Sequence, residues 1–309
     1  MSGQVILTGQ LASSRVEDGR SWRSMFSDYW ALTKPEVNFL ILITTFAGFY
    51  LASAGNERFL FARLFHTLLG TLLVASGTGA LNQYVERKFD AQMRRTARRP
   101  AAAGRINPSA VLTFGTALAV TGSIYLAIAV NLLASMLATL TLLTYLFVYT
   151  PLKRKTPMCV LVGAFPGAMP PLIGFAAASG RLNTEAGILY AMLFFWQFPH
   201  FMAIAWMYRE DYDRAGYLVL PKGNARVSFV MLETLLPLLA LVAISIMQSP
   251  TQHAATFYCA VALLGAGFTY FGLEFVFQRS RVAARRLLMA SIVYLPLSYG
   301  LMMYGLGAT

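Results

Sequence analysis

Hydrophobic runs of about 20 residues recur along this chain, and each is closed by a polar, often basic, segment. An α-helix rising about 1.5 Å per residue needs that length to cross a hydrocarbon core about 30 Å thick. The pattern predicts nine spans, at residues 36–54, 62–82, 110–130, 132–150, 159–179, 186–207, 228–248, 255–277 and 287–306. The expected fold is an all-α polytopic membrane protein. Residues 32–309 read as one transmembrane domain and residues 1–31 as a polar tail. The only apolar stretch of that tail, Val5 to Leu7, is too short for a secretory signal.

The segments between spans alternate in character. Those after spans two, four, six and eight, together with the tail and Lys34, carry 22 of the 25 Lys and Arg residues. The other set holds only Arg58, Arg63 and Arg181. The positive-inside rule then predicts a cytoplasmic N-terminus, cytoplasmic ends for the even-numbered spans and an outside C-terminus. Composition agrees: 57% of residues are hydrophobic and 12% charged, against about a quarter charged in a soluble domain. The net charge of +12 could suggest nucleic acid, but its confinement to alternate loops assigns it to topology. No nucleic-acid partner is expected. Cys159 and Cys259 lie in or beside apolar runs, which supports neither a disulfide nor a thiolate metal site.

Topology explains the cations but not the acids mixed among them. Asn82, Glu86 and Asp90 follow one another at i, i+4 and i+8. On a helix they form one polar stripe about 12 Å long, drifting about 40° per step. Arg94, Arg95, Arg98 and Arg99 come next. A second acidic group, Glu210, Asp211 and Asp213, follows span six. Four crossings separate the two groups, so both are expected on the same membrane face, and a parallel repeat of spans one to four in five to eight is suggested. Carboxylates at helix C-termini face the negative end of the helix dipole, and two such groups repel each other. A divalent cation removes both costs. Mg²⁺ takes oxygen ligands and is commonly held by one or two carboxylates plus substrate phosphates. The arginines after Asp90 and the run Lys153, Arg154, Lys155 would meet those phosphates. The plainer alternative is a solvated loop whose acids pair with nearby arginines. A lipid diphosphate suits the first arrangement. Metal and cations would neutralise the departing diphosphate, while an apolar, aromatic chamber kept water from an allylic carbocation.

The stripe Asn82, Glu86, Asp90 resembles the first acidic motif of the UbiA superfamily of intramembrane prenyltransferases, and most resembles its heme-farnesylating branch. The likeness runs from residue 32 to about 222. It is carried by Leu32-Thr33-Lys34-Pro35, Ala75 to Asn82, Asp90 to Pro100, Tyr149 to Pro157, Phe165 to Gly174, Trp196 to Phe201 and Glu210 to Pro221. The resemblance implies nine helices around a central cavity in a bacterial inner membrane. It implies transfer of farnesyl from farnesyl diphosphate to a vinyl group of heme b, giving heme O and diphosphate, with Mg²⁺ as cofactor. A downstream heme-modifying enzyme or oxidase assembly factors would be its partners. Asn82, Glu86, Asp90, Glu210 and Asp211 would be the catalytic set, with Glu86, Asp90 and Asp211 on the metal. Arg94, Arg98, Lys153 and Arg154 would hold the diphosphate. The second motif departs from the superfamily's Asp-x-x-x-Asp, because Tyr208 and Tyr212 occupy that spacing.

His200, beside Pro199 and Gln197 inside span six, is a candidate for the heme pocket, since an ionisable residue within a span is costly. A bond to a neighbouring helix is the alternative. Pro166, Pro170 and Pro171 are expected to interrupt span five. His66 reads as structural and Arg279 to Arg286 as a topology anchor. Two other functions compete: prenylation of an aromatic quinone precursor, and ion-coupled transport. A transporter would place its charges near the midplane rather than at helix ends.

Overall fold

The computed structural model describes residues 21–53, 60–223, 225–247 and 253–305. Arg15, Arg20 and Arg58 lie outside them. Every described element is helical. A short helix, α1 (Trp22–Leu32), precedes the first span. Nine helices among the described residues are long and apolar enough to cross a membrane. These are α2 (Pro35–Ser53), α3 (Phe61–Asp90), α4 (Pro108–Ala129), α5 (Leu132–Leu152), α6 (Cys159–Ser179) and α7 (Thr184–Met207). After the six-residue α8 (Arg209–Arg214) come α9 (Ala225–Ile246), α10 (Ala254–Gln278) and α11 (Arg281–Gly305). All nine predicted spans are present. The informative difference is in α3, which runs past its predicted end to Asp90, so the whole polar stripe lies on one continuous helix.

Residues 22–32, which fall almost wholly in the polar tail and show no apolar span, are helical. Ser21 caps α1 by accepting from the Arg23 amide at 3.2 Å. Leu32 is buried with Ala80 of α3 and Val111 of α4. Asp28 pairs with Arg105 at 2.8 Å, tying α1 to the segment after α3. Trp22, Met25, Phe26 and Trp30 remain exposed, and such side chains suit a headgroup boundary.

Small residues set the closest helix contacts. A side chain on Gly48 of α2 would collide with the Pro171 carbonyl, and one on Gly174 of α6 with the Thr45 carbonyl. The two backbones therefore touch, as small-residue pairs allow between membrane helices. The interruption expected in span five is at Ala168, where the helical run of α6 is broken between Pro166 and Pro170. Gln197 of α7 donates to the Ala164 carbonyl at 3.2 Å, so a polar side chain serves the broken helix. Around α7, Trp196 donates to the Ser291 carbonyl at 2.8 Å and Tyr299 to the Leu189 carbonyl at 3.1 Å. Near its basic end α5 makes a π-turn over Thr144–Tyr149. The Thr150 hydroxyl donates to the Tyr145 carbonyl at 2.8 Å. Such turns often mark functional sites because they rotate the following side chains.

Candidate active site

The stripe on α3 is bonded end to end. Lys34, between α1 and α2, donates to Asn82 Oδ1 at 2.7 Å. Asn82 Nδ2 donates to Glu86 Oε2 at 2.9 Å, and Lys153 Nζ to Glu86 Oε1 at 2.9 Å. One turn further, Arg99 donates to Asp90 Oδ2 at 2.8 Å. Asn82, Glu86 and Asp90 are all buried, although they lie at a helix end. Burial at this depth demands charge partners, and each acid has a cation.

The two lysines respond to burial in opposite ways. Burial, with the Arg99 guanidinium nearby, pulls the Lys34 ammonium down to about 7. Burial also opposes the charge on Lys153, but the Glu86 carboxylate overrides it and holds this lysine well above its ordinary value. Lys153 lies 4.5 Å from the centroid of the Tyr149 ring and 5.9 Å from that of Tyr145, both presented by the π-turn of α5. Lys34 has a left-handed backbone, with φ of 55°. A bulky residue adopts that conformation only where the surroundings enforce it.

The second acidic group meets the first through the segment after α3. Asp211 is buried, accepts from the Arg95 amide at 3.3 Å and pairs with Arg214 at 3.2 Å. Arg214 also donates to the Gln92 carbonyl at 3.4 Å. The Arg95 guanidinium lies over the Tyr208 ring at 4.7 Å and donates to the Tyr212 hydroxyl at 3.1 Å. Met93, Ala215 and Tyr217 form a small core beneath these contacts. The Leu218 amide donates to the Lys153 carbonyl at 2.7 Å, which ties in the segment after α5. Three loops far apart in sequence thus form one polar floor at the basic ends of the helices.

The structure selects among the sequence-derived candidates. Asn82, Glu86, Asp90, Lys153 and Asp211 come together. Glu210 does not: its side chain is 81% exposed, with Arg209 as partner at 3.7 Å. Arg94 and Arg98 are exposed; Arg99 donates to Asp90, while Arg95, also exposed, offers its backbone amide to Asp211 and its guanidinium to Tyr212. Arg154 is exposed and stacks on Phe89 at 4.2 Å. His200 bonds through Nδ1 to the Ser291 hydroxyl at 2.8 Å and stacks on Trp196 at 4.6 Å, joining α7 to α11. His66 bonds to the Tyr125 hydroxyl at 2.6 Å between α3 and α4, a structural role as expected. Sequence reasoning missed Lys34, Tyr145 and Tyr149 as site residues. Lys34 and Tyr149 lie in stretches that carried the resemblance, which was the available signal, and Tyr145 lies one helical turn before the second of them.

Among the described residues, no three His, Cys, Asp or Glu side chains gather closely enough to chelate a metal by themselves. That suits Mg²⁺, which needs few protein carboxylates when phosphates supply the rest. Asp90 Oδ1 is buried without a hydrogen-bond partner. Such an orphaned oxygen in a donor set of carboxylates fits a hard cation.

The sequence pattern of the UbiA prenyltransferase family matches residues 41–294. The chain is 45% identical to the protoheme IX farnesyltransferase of Solibacter usitatus over 284 residues, covering 89% of this chain and 97% of the relative. It is 40% identical to that of Koribacter versatilis, covering 91% and 93%. A UbiA homologue from Archaeoglobus fulgidus, solved with GPP and Mg²⁺, shares the fold with a TM-score of 0.60 at 14% identity, covering 89% of this chain and 99% of that one. Fold and site together define an intramembrane prenyltransferase, and the chain belongs to the UbiA prenyltransferase family. Within that family, these two relatives, matched over nearly their whole length, are protoheme IX farnesyltransferases.

Proposed function

We propose that this protein transfers the farnesyl group of farnesyl diphosphate to a vinyl group of heme b, forming heme O and releasing diphosphate. The observation that carries this reading is the 45% identity to a protoheme IX farnesyltransferase over 97% of that relative. The polar floor supports it, because a site for an anionic leaving group belongs where cations and orphaned carboxylate oxygen converge.

Asp90 and Asp211 would hold Mg²⁺, with Glu86 beside them. The ion would supply positive charge to the departing diphosphate. Lys34, Lys153, Arg95 and Arg99 offer further cations to the same oxygens. Glu86 and Asn82 orient Lys153 and Lys34 so that they need not reorganise as charge develops. The allylic C–O bond breaks and the terminal vinyl carbon of heme bonds to the farnesyl C1. Water then adds at the remaining vinyl carbon and loses a proton, giving a hydroxyethylfarnesyl group. Tyr145 and Tyr149, whose rings lie against the Lys153 ammonium, would offer π faces to the forming cation.

The protein is a multi-pass membrane protein. We place it in a bacterial inner membrane with the polar floor and the N-terminus in the cytoplasm, on the strength of the basic-loop bias. Membranes containing the protein, incubated with farnesyl diphosphate, Mg²⁺ and heme b, should yield heme O on chromatography. Prenylation of a hydroxybenzoate with no heme O would replace this reading with the quinone-precursor alternative.

A further inference from the structure

Away from the polar floor, α10 and α11 enclose an open groove of about 530 Å³. Its walls are almost wholly apolar, with Leu263, Phe271, Met289 and Val293 among them. Arg285 and Arg286 line one end. That end is the start of α11, the basic side of the molecule. From Arg285 to Tyr294, the deepest lining residue of α11, the helix rises about 13 Å, close to the roughly 15 Å of hydrocarbon in one leaflet. The groove thus has the length of one leaflet, a charged mouth and a greasy floor.

The two arginines are not equivalent. Arg286, its side chain 57% exposed, is paired with Glu274 of α10, whose side chain is 8% exposed. Arg285 is exposed at the mouth. Gly267 keeps the floor open, because a Cβ built there meets nothing within 4 Å. An anchoring role at the interface explains why arginines follow span eight. It does not explain an apolar channel leading away from them.

We propose that this groove binds one anionic phospholipid of the surrounding membrane, its phosphate on Arg285 and an acyl chain laid along Gly267 toward Tyr294. The charge at the mouth is complementary to a lipid phosphate, and basic pockets between membrane helices recognise such headgroups. The volume falls within the range of small-ligand sites. A lipid here would fill the seam between the last two helices and complete the outer wall of the bundle. The farnesyl donor is not needed to explain it, so this site stands or fails apart from the reaction.

Native mass spectrometry of the full chain in detergent, with dioleoylphosphatidylglycerol or dioleoylphosphatidylcholine added, tests the proposal. The wild type should retain one phosphatidylglycerol in preference to phosphatidylcholine. Arg285→Gln should weaken phosphatidylglycerol retention about fivefold, the weight of one basic side chain at an anionic surface, and leave phosphatidylcholine unchanged. Gly267→Leu, which fills the groove, should reduce both. Arg285 is exposed, so its variant remains informative if Gly267→Leu misfolds. Equal retention of the two lipids by the wild type, or retention untouched by Arg285→Gln, overturns the proposal. A dimer lost in Gly267→Leu would assign the groove to a second copy of the chain and overturn it equally.

Discussion

Lys153 donates to Glu86 at 2.9 Å across 67 residues of sequence, and the ammonium lies against the faces of Tyr145 and Tyr149. This bond joins the segment after α5 to the stripe on α3, and it compensates a carboxylate buried at the membrane end of a long helix. Lys153→Met should therefore cost stability as well as activity. Removing one partner of a buried pair costs roughly 3–5 kcal/mol, because the other charge is left uncompensated. Thermal unfolding in detergent would show it, and the double variant Lys153→Met, Glu86→Gln should recover part of the loss. The Lys153 value is raised in the fold, so its stabilisation is complete below the ordinary lysine range. It disappears only as pH climbs through the folded-state value, and stability across neutral pH should not report this pair.

Asp90→Ala and Asp211→Ala should each lower heme O formation by at least about a hundredfold while leaving a monodisperse protein. Both carboxylates sit at the polar floor, and Asp90 has an oxygen that no protein group satisfies. Chelation with EDTA should abolish turnover in the wild type, and added Mg²⁺ should restore it. Turnover unaffected by EDTA would remove the metal from the reading.

Arg99→Gln should impair turnover far more than Arg94→Gln. Arg99 reaches Asp90 at 2.8 Å, while Arg94 points its charge at solvent and should contribute little. Steady-state assays of the two variants side by side make the comparison. Equal effects would return the diphosphate contacts to the pattern that the sequence suggested.

Burial pulls Lys34 down to about 7, so the free protein holds it mostly neutral at pH 8. A diphosphate placed beside it raises that value, and binding should take up a substantial fraction of a proton. Calorimetry of a non-reactive farnesyl diphosphate analogue in buffers of different ionisation enthalpy measures the uptake. It should vanish in Lys34→Met. The same lowered value should make stability rise with pH from about 7 toward the ordinary lysine range, since the unfolded chain binds the extra proton there.

Much of the architecture was legible because a membrane imposes a simple code. Runs of about 20 apolar residues had to be helices, and the nine spans observed among the described residues agree with them within a few residues, except at the end of α3 and the start of α11. The α3 stripe was legible too, since helical spacing fixes which side chains share a face. Lys34 was not, because nothing in local spacing says that a residue before α2 will reach the middle of α3. Arg98 and Arg99 are adjacent in sequence, and only the path of the loop decides that the second reaches Asp90. Glu210 and Asp211 illustrate the same limit: one turn of α8 buries the second and exposes the first.

The sequence by itself determined the class of this protein, the nine apolar spans found among the described residues, the alternation of charge between loops and the shared face of the α3 stripe. These follow from solvation, because each segment must suit hydrocarbon or water on its own account. Tertiary structure alone decided which cations meet which acids. It brought Lys34, Arg99 and Lys153 to one buried row and Asp211 to its edge, and it turned His200 toward Ser291 of α11. Those pairings depend on how loops close over the helix ends, where a buried charge settles only beside a partner that packing delivers from far along the chain.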